Sequence, residues 1–115
     1  MNSKDNSLEA AHKAALDALL LKIPGVQGGD MTGLPAYFVA KKMFACIANG
    51  GVGVRLPTVE AANLHFSMSN VGPFQPRGKP STREWIQITR ENSAEYEKDL
   101  PIFKASIDFV RGVKV

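Results

Sequence analysis

Among its 115 residues the chain has one cysteine, one tryptophan and two histidines. A lone thiol cannot close a disulfide within the chain, which excludes a disulfide-stapled scaffold and points to a reducing compartment. Two imidazoles, His12 and His65, with one thiol are too few for the usual zinc ligand sets. No stretch of about 20 apolar residues is present to span a membrane. The polar start, Met1 to Ser7, runs into alanines interrupted by His12, Lys13 and Asp17, so there is no signal-peptide core. Also missing are a Gly-x-Ser-x-Gly elbow and a glycine-rich phosphate loop between strand and helix. These absences lead us to expect a cytoplasmic protein with no metal, no cofactor and no catalytic residue set.

What is present suffices for a core: 44% hydrophobic and 22% charged residues exclude disorder. The length suits one domain over residues 1–115, with 1–6 expected as a disordered tail. Net charge is +3, concentrated centrally. Residues 41–90 carry Lys41, Lys42, Arg55, Arg77, Lys79, Arg83 and Arg90 against Glu60 and Glu84, seven minus two or +5. Such a stretch is either a solvated surface or a face that attracts anions or nucleic acid.

Periodicity sets out the elements. Leu8, Ala11, Ala15, Leu19 and Ile23, with Leu16 and Leu20, predict a helix over Ser7–Lys22, capped by Asn6 with Glu9 and stopped by Pro24-Gly25. His12 falls at the edge of that stripe as a packing residue. Gly28-Gly29-Asp30 reads as a loop. A first strand ends at Tyr37-Phe38-Val39, Lys41-Lys42 belong to a tight turn, and Met43–Ala48 is a second strand. Asn49-Gly50-Gly51 turns the chain into a third strand, Val52–Leu56. Thr58 is the expected N-cap of a short helix with Ala61, Leu64 and Met68 on one face. Residues 69–82 hold three prolines and two glycines and are expected to form no regular element. Arg83–Arg90 alternates as a fourth strand. Asn92–Lys98 forms an acidic turn or short helix. Asp99, Pro101 and Gly112 then bracket a final helix with Leu100, Phe103, Ile107 and Val110 inward. The fold class expected is α+β: an antiparallel sheet of about four or more strands with N- and C-terminal helices on one face.

Chemistry-bearing candidates are few. Cys46, between Ala45 and Ile47 in a strand, reads as a small buried hydrophobe. The stiff segment 70–80 leads into Arg83-Glu84-Trp85 and places Phe74, Arg77, Lys79, Arg83 and Trp85 close in sequence. Those five make a candidate binding rim of cations beside aromatics; alternatively Phe74 and Trp85 anchor the loop and the cations stay wet.

Several short motifs occur in order: Pro24-Gly25-Val26, Met31-Thr32-Gly33, Lys42-Met43-Phe44-Ala45, Pro73-Phe74 with Pro76, Gly78-Lys79-Pro80, and Glu84-Trp85-Ile86. In them the chain resembles the N-terminal domain of the TfoX/Sxy family of bacterial competence regulators, from about Leu8 to Val110. Similarity to MmcQ/YjbR-like proteins is weaker. The resemblance implies an α+β domain of bacterial origin associated with regulation of DNA uptake, and brings no catalytic residues with it. Two departures stand out. Thr32 replaces the phenylalanine of the family's Met-Phe-Gly, and the chain ends at Val115, before the second domain of the full regulators. A regulatory or adaptor domain is therefore expected, binding a protein partner through loop 70–83 or a sheet edge, with homodimerisation open. Weak nucleic-acid binding is the alternative, and a small-molecule site under the proline-rich loop a third. Charge reversal at Arg77 and Lys79 is expected to weaken polyanion binding without lowering Tm; unchanged binding removes the rim.

Overall fold

The computed structural model describes residues 3–31, 33–48, 50–74 and 84–112, with side chains from Ala10 onward. Its elements, in chain order, are helix α1 (Ser3–Leu20), strands β1 (Val26–Met31), β2 (Leu34–Val39), β3 (Lys42–Ala48) and β4 (Gly51–Arg55), helix α2 (Thr58–Ser67), strands β5 (Val71–Pro73) and β6 (Trp85–Thr89), a 3₁₀ helix (Ser93–Asp99) and helix α3 (Leu100–Arg111). All six strands join one antiparallel sheet in the order β1-β2-β3-β4-β6-β5. The α+β class with helices at both ends is thus as the periodicity indicates.

Local differences from the sequence reading each have a physical cause. α1 begins at Ser3, so residues 3–6 are helical, and the Asn6/Glu9 pair lies inside the helix rather than capping it. Its buried positions are His12, Leu16 and Leu20, one turn apart, while Ala11 is exposed; the inward stripe is rotated from the predicted one and His12 lies within it. Gly28-Gly29-Asp30 is strand, because β2 supplies pairing that those residues do not favour by themselves. Within 69–82, Val71–Pro73 pairs with Ile86–Ile88 as a short edge strand, and proline is tolerated at such an edge. The tight turn is Ala40-Lys41, both at positive φ (51° and 65°), as two-residue hairpins require. Pro57, not Thr58, is the N-cap of α2. Asp99 does hold the N-cap position of α3, but its carboxylate does not cap; it is committed elsewhere, as shown below.

A bulge decides which residues reach which face. Tyr37 pairs with Ala45 and Phe38 with Met43, leaving Phe44 without an opposite number. Phe44 and Ala45 consequently both enter the main core, while Met43 and Cys46 turn to the far face. The main core packs Leu16 and Leu20 of α1, Tyr96, and Phe103, Ile107 and Val110 of α3 onto Val52, Val54, Ile86 and Ile88 of the sheet. Ala61 on α2 closes its end.

The far face is built from small residues, Ala36, Cys46 and Ala48, with Phe74 as its large buried side chain. Phe74 settles there because Gly53 has no side chain: a Cβ on Gly53 would stand 2.4 Å from the Phe74 ring. An aromatic ring laid over a strand glycine restores the packing that glycine forfeits. Gly53→Val is expected to displace Phe74 and lower stability by about 1–3 kcal/mol, read as a fall in Tm and a change in Trp85 fluorescence. An unaltered Tm contradicts this account of the far face.

Candidate functional site

Of the five rim residues expected from sequence, Phe74 and Trp85 meet: their rings stack with centroids 5.3 Å apart at 30°. Arg77, Lys79 and Arg83 lie outside the described residues. Phe74 is buried and Trp85 half-buried, both packed in the cluster around Cys46. Cys46 is fully buried on the far face, whereas His12 belongs to the helix-covered face and His65 is exposed on α2. Among the described residues, no three His, Cys, Asp or Glu side chains gather as metal ligands, and no helix is long and apolar enough to cross a membrane.

Buried polarity is concentrated where the terminal helices meet the sheet. Arg90, just after β6, forks onto Asp99 with two charge-assisted bonds of 3.0 and 2.7 Å. Asp99 is only 1% exposed, so the pair holds a carboxylate inside the protein. Hydrogen bonding to Asp99 raises the Arg90 guanidinium further above its ordinary value. Next to it the Tyr96 hydroxyl and His12 Nδ1 share a buried hydrogen bond of 2.7 Å. Burial first, and then the charge of Asp99, push the Tyr96 phenol well above its usual range. On the other side of α1, the Tyr37 hydroxyl donates to Asp17 at 2.6 Å and Lys13 bonds the same carboxylate at 2.7 Å. Burial works to raise the Asp17 carboxyl, but the two donors outweigh it and hold it below the ordinary value. Burial and the Asp17 bond raise the Tyr37 phenol.

This network ties α1 to the 3₁₀ helix and to β2, and ties the 3₁₀ helix to the sheet. A cleft of about 240 Å³ runs beside it, lined by Ala15, Leu19, Lys22, Ser93, Tyr96 and Glu97 among others. A second, apolar groove of about 260 Å³ lies between α2 and the start of α3, over Leu56, Leu64, Pro101, Ile102 and Ala105 with Glu60 and Asn63 at its border. On α2, Phe66 is 96% and Val59 72% exposed.

The remaining distinctive surface is the sheet edge. β5 closes one side with three residues ending in Pro73, a short and self-protecting edge. The other edge is β1, six residues long, with Gln27, Gly28, Gly29 and Asp30 exposed. It carries neither lysine nor proline, and Asp30, its one charge, turns back to accept the Gly33 N–H at 2.9 Å. Sequence reading placed an interaction on a sheet edge without locating β1, since its glycines imitate a loop. No protein-family model matches the chain, and no curated protein matches it.

Arg90→Ala leaves Asp99 buried without its cation and is expected to cost about 3–5 kcal/mol in chemical denaturation. Tyr37→Phe tests the surface-side pair. Asp17, held below its unfolded value of about 3.9, stabilises the fold above that value and loses the contribution as pH falls through its own depressed one. The deficit of Tyr37→Phe, about 1–2 kcal/mol at neutral pH, should therefore shrink in acid; a pH-independent deficit removes the charged hydrogen bond from the account.

Proposed function

We propose that the chain is a non-enzymatic interaction domain which takes up a strand from another polypeptide chain along β1. The observation that supports this reading is the asymmetry of the sheet: one edge short and ended by proline, the other six residues long, exposed from Gln27 to Asp30 and itself without lysine, proline or a bulge. An added strand gains backbone hydrogen bonds there with little side-chain displacement, the mode of β-augmentation. The resemblance to the TfoX/Sxy N-terminal domain, resting on the short motifs alone, agrees with a regulatory role in a bacterial cytoplasm.

Nucleic-acid binding is the second reading, favoured by the basic centre of the sequence. Two of its seven cations are already engaged within the fold, Arg55 with Glu84 at 2.9 Å and Arg90 with Asp99. That reduces the charge left for phosphates, so the protein reading stands ahead.

A photo-cross-linking residue at Gln27, introduced into the chain in its native cell, is expected to yield a discrete adduct that Gly28→Pro abolishes. No adduct, or one indifferent to Gly28→Pro, overturns the edge as the docking element. Adducts to nucleic acid that collapse with added salt favour the second reading.

A further inference from the structure

The identity of the strand that β1 accepts can be argued from β1 itself, an argument that rests on the edge reading above. β1 and β2 are joined by two residues, with Met31 opposite Leu34 as the last pair in register; in a two-residue hairpin the closing pair is of the hydrogen-bonded kind, which assigns Met31 and Leu34 to it. Counting back in twos, Gly29 and Gln27 also bond inward to β2. Gly28 and Asp30 then turn N–H and C=O to the open edge. Val26 obeys the same parity, since its N–H goes to the Ile23 carbonyl at 3.2 Å instead of to β2.

Of the two glycines, one has a reason within the chain and the other does not. A Cβ on Gly29 would stand 2.8 Å from the Phe38 ring. At Gly28 it would meet only Leu21, at an ordinary 3.8 Å. Glycine weakens a strand, and in one it often marks a place where another backbone comes close. The charges along the edge are also polar in arrangement. Asp30 stands at one end; at the other are Lys22, four residues before Val26, and Lys41, two after Val39, which pairs with Val26. All three are exposed. An antiparallel copy of the same edge presents these ends in reverse, acid to base.

We propose that the partner is a second copy of this chain, joined β1 to β1 in antiparallel fashion with Gly28 facing Gly28 across a two-fold axis. The two six-stranded sheets become one. Asp30 of each copy then faces Val26 of the other, on the side of Lys22 and Lys41. Parity allows one close alternative, Gly28 opposite Asp30, with equal hydrogen bonding, but it sets the two Asp30 side chains on a diagonal about 7–8 Å apart. In the Gly28-centred register they are four residues apart along the strand, roughly 13 Å, beyond the Debye length of about 8 Å. Like-charge repulsion selects the Gly28 register, and with it a closed dimer.

Sedimentation equilibrium on the full chain, up to millimolar concentration, is expected to show monomer and dimer in exchange. Gly28→Pro deletes the outward N–H and keeps the ladder to β2; it should raise the dissociation constant by ~10-fold or more with Tm retained. Gly28→Cys should cross-link as a disulfide dimer on mild oxidation, because facing hydrogen-bonded residues lie about 5.5 Å apart. Asp30→Cys should not, and Lys41→Glu should weaken the dimer, most at low salt. Should Gly28→Pro fail to fold, the cysteine and Lys41 variants decide. A chain that stays monomeric throughout, a dimer indifferent to Gly28→Pro, or Asp30→Cys linking as fast as Gly28→Cys overturns the proposal. A monomer whose Gln27 still cross-links to a different protein overturns the second copy alone and leaves the edge reading intact.

Discussion

The unpaired residue Phe44 sets the plan of this molecule. A strand with strict alternation would send Phe44 to one face and Ala45 to the other. By giving β3 one residue more than β2 spends on the same span, the bulge turns both toward the helices and resets every later position. Ile47 then follows Phe44 and Ala45 inward, and Cys46 and Ala48 face away. The helix-covered side receives the large residues, and the other side receives side chains small enough for one phenyl ring to cover. Gly53 is the counterpart of that economy across the β3–β4 ladder, opposite Cys46, where any side chain would evict Phe74.

Given a core on one side, the terminal helices need orientation as well as burial. Area alone fixes neither the rotation of α1 nor the angle at which α3 leaves the sheet, since burial is roughly proportional to area and indifferent to direction. The directional groups sit at those junctions. Asp99, at the boundary between the 3₁₀ helix and α3, is held by Arg90 at the end of β6; His12 of α1 meets Tyr96 of the 3₁₀ helix. Such pairs add little net stability over apolar packing, yet removing one partner is costly, which makes them effective determinants of a single arrangement. Here polar groups in the interior account for architecture.

How far the sequence disclosed this depends on whether each signal was local. α3 was legible almost whole: Phe103, Ile107 and Val110 recur at helical spacing, Pro101 sits in the first turn, and Gly112 takes the left-handed position at φ 79°. β3, β4 and β6 were legible because β-branched and apolar residues crowd them. β1 was not, because Gly28-Gly29-Asp30 has turn chemistry and its strand conformation comes from β2, a tertiary effect. His12 was placed at a margin because an imidazole counts as polar in a hydropathy pattern; the hydroxyl that admits it to the interior lies 84 residues away. For the candidate site, the nearness of Phe74 to Trp85 was readable, whereas the bare edge required the strand order, which no spacing encodes.

An uncovered edge is unusual enough to need its own physical account. Folded sheets normally defend such strands with lysine, proline, bulges or brevity, and β5 uses brevity and Pro73. β1 uses none of these, and the single charge it carries is turned back on the hairpin to bond Gly33. What limits it is composition: two adjacent glycines lower the strand's intrinsic preference and remove the hydrophobic side chains that drive indiscriminate aggregation. Pairing along β1 must then draw on backbone hydrogen bonds and on the placement of a few charges, both of which demand correct register, in place of apolar area, which does not. An edge made weak in this way is selective for a strand that matches it in direction and charge. The proposed second copy meets those terms with β1 inverted.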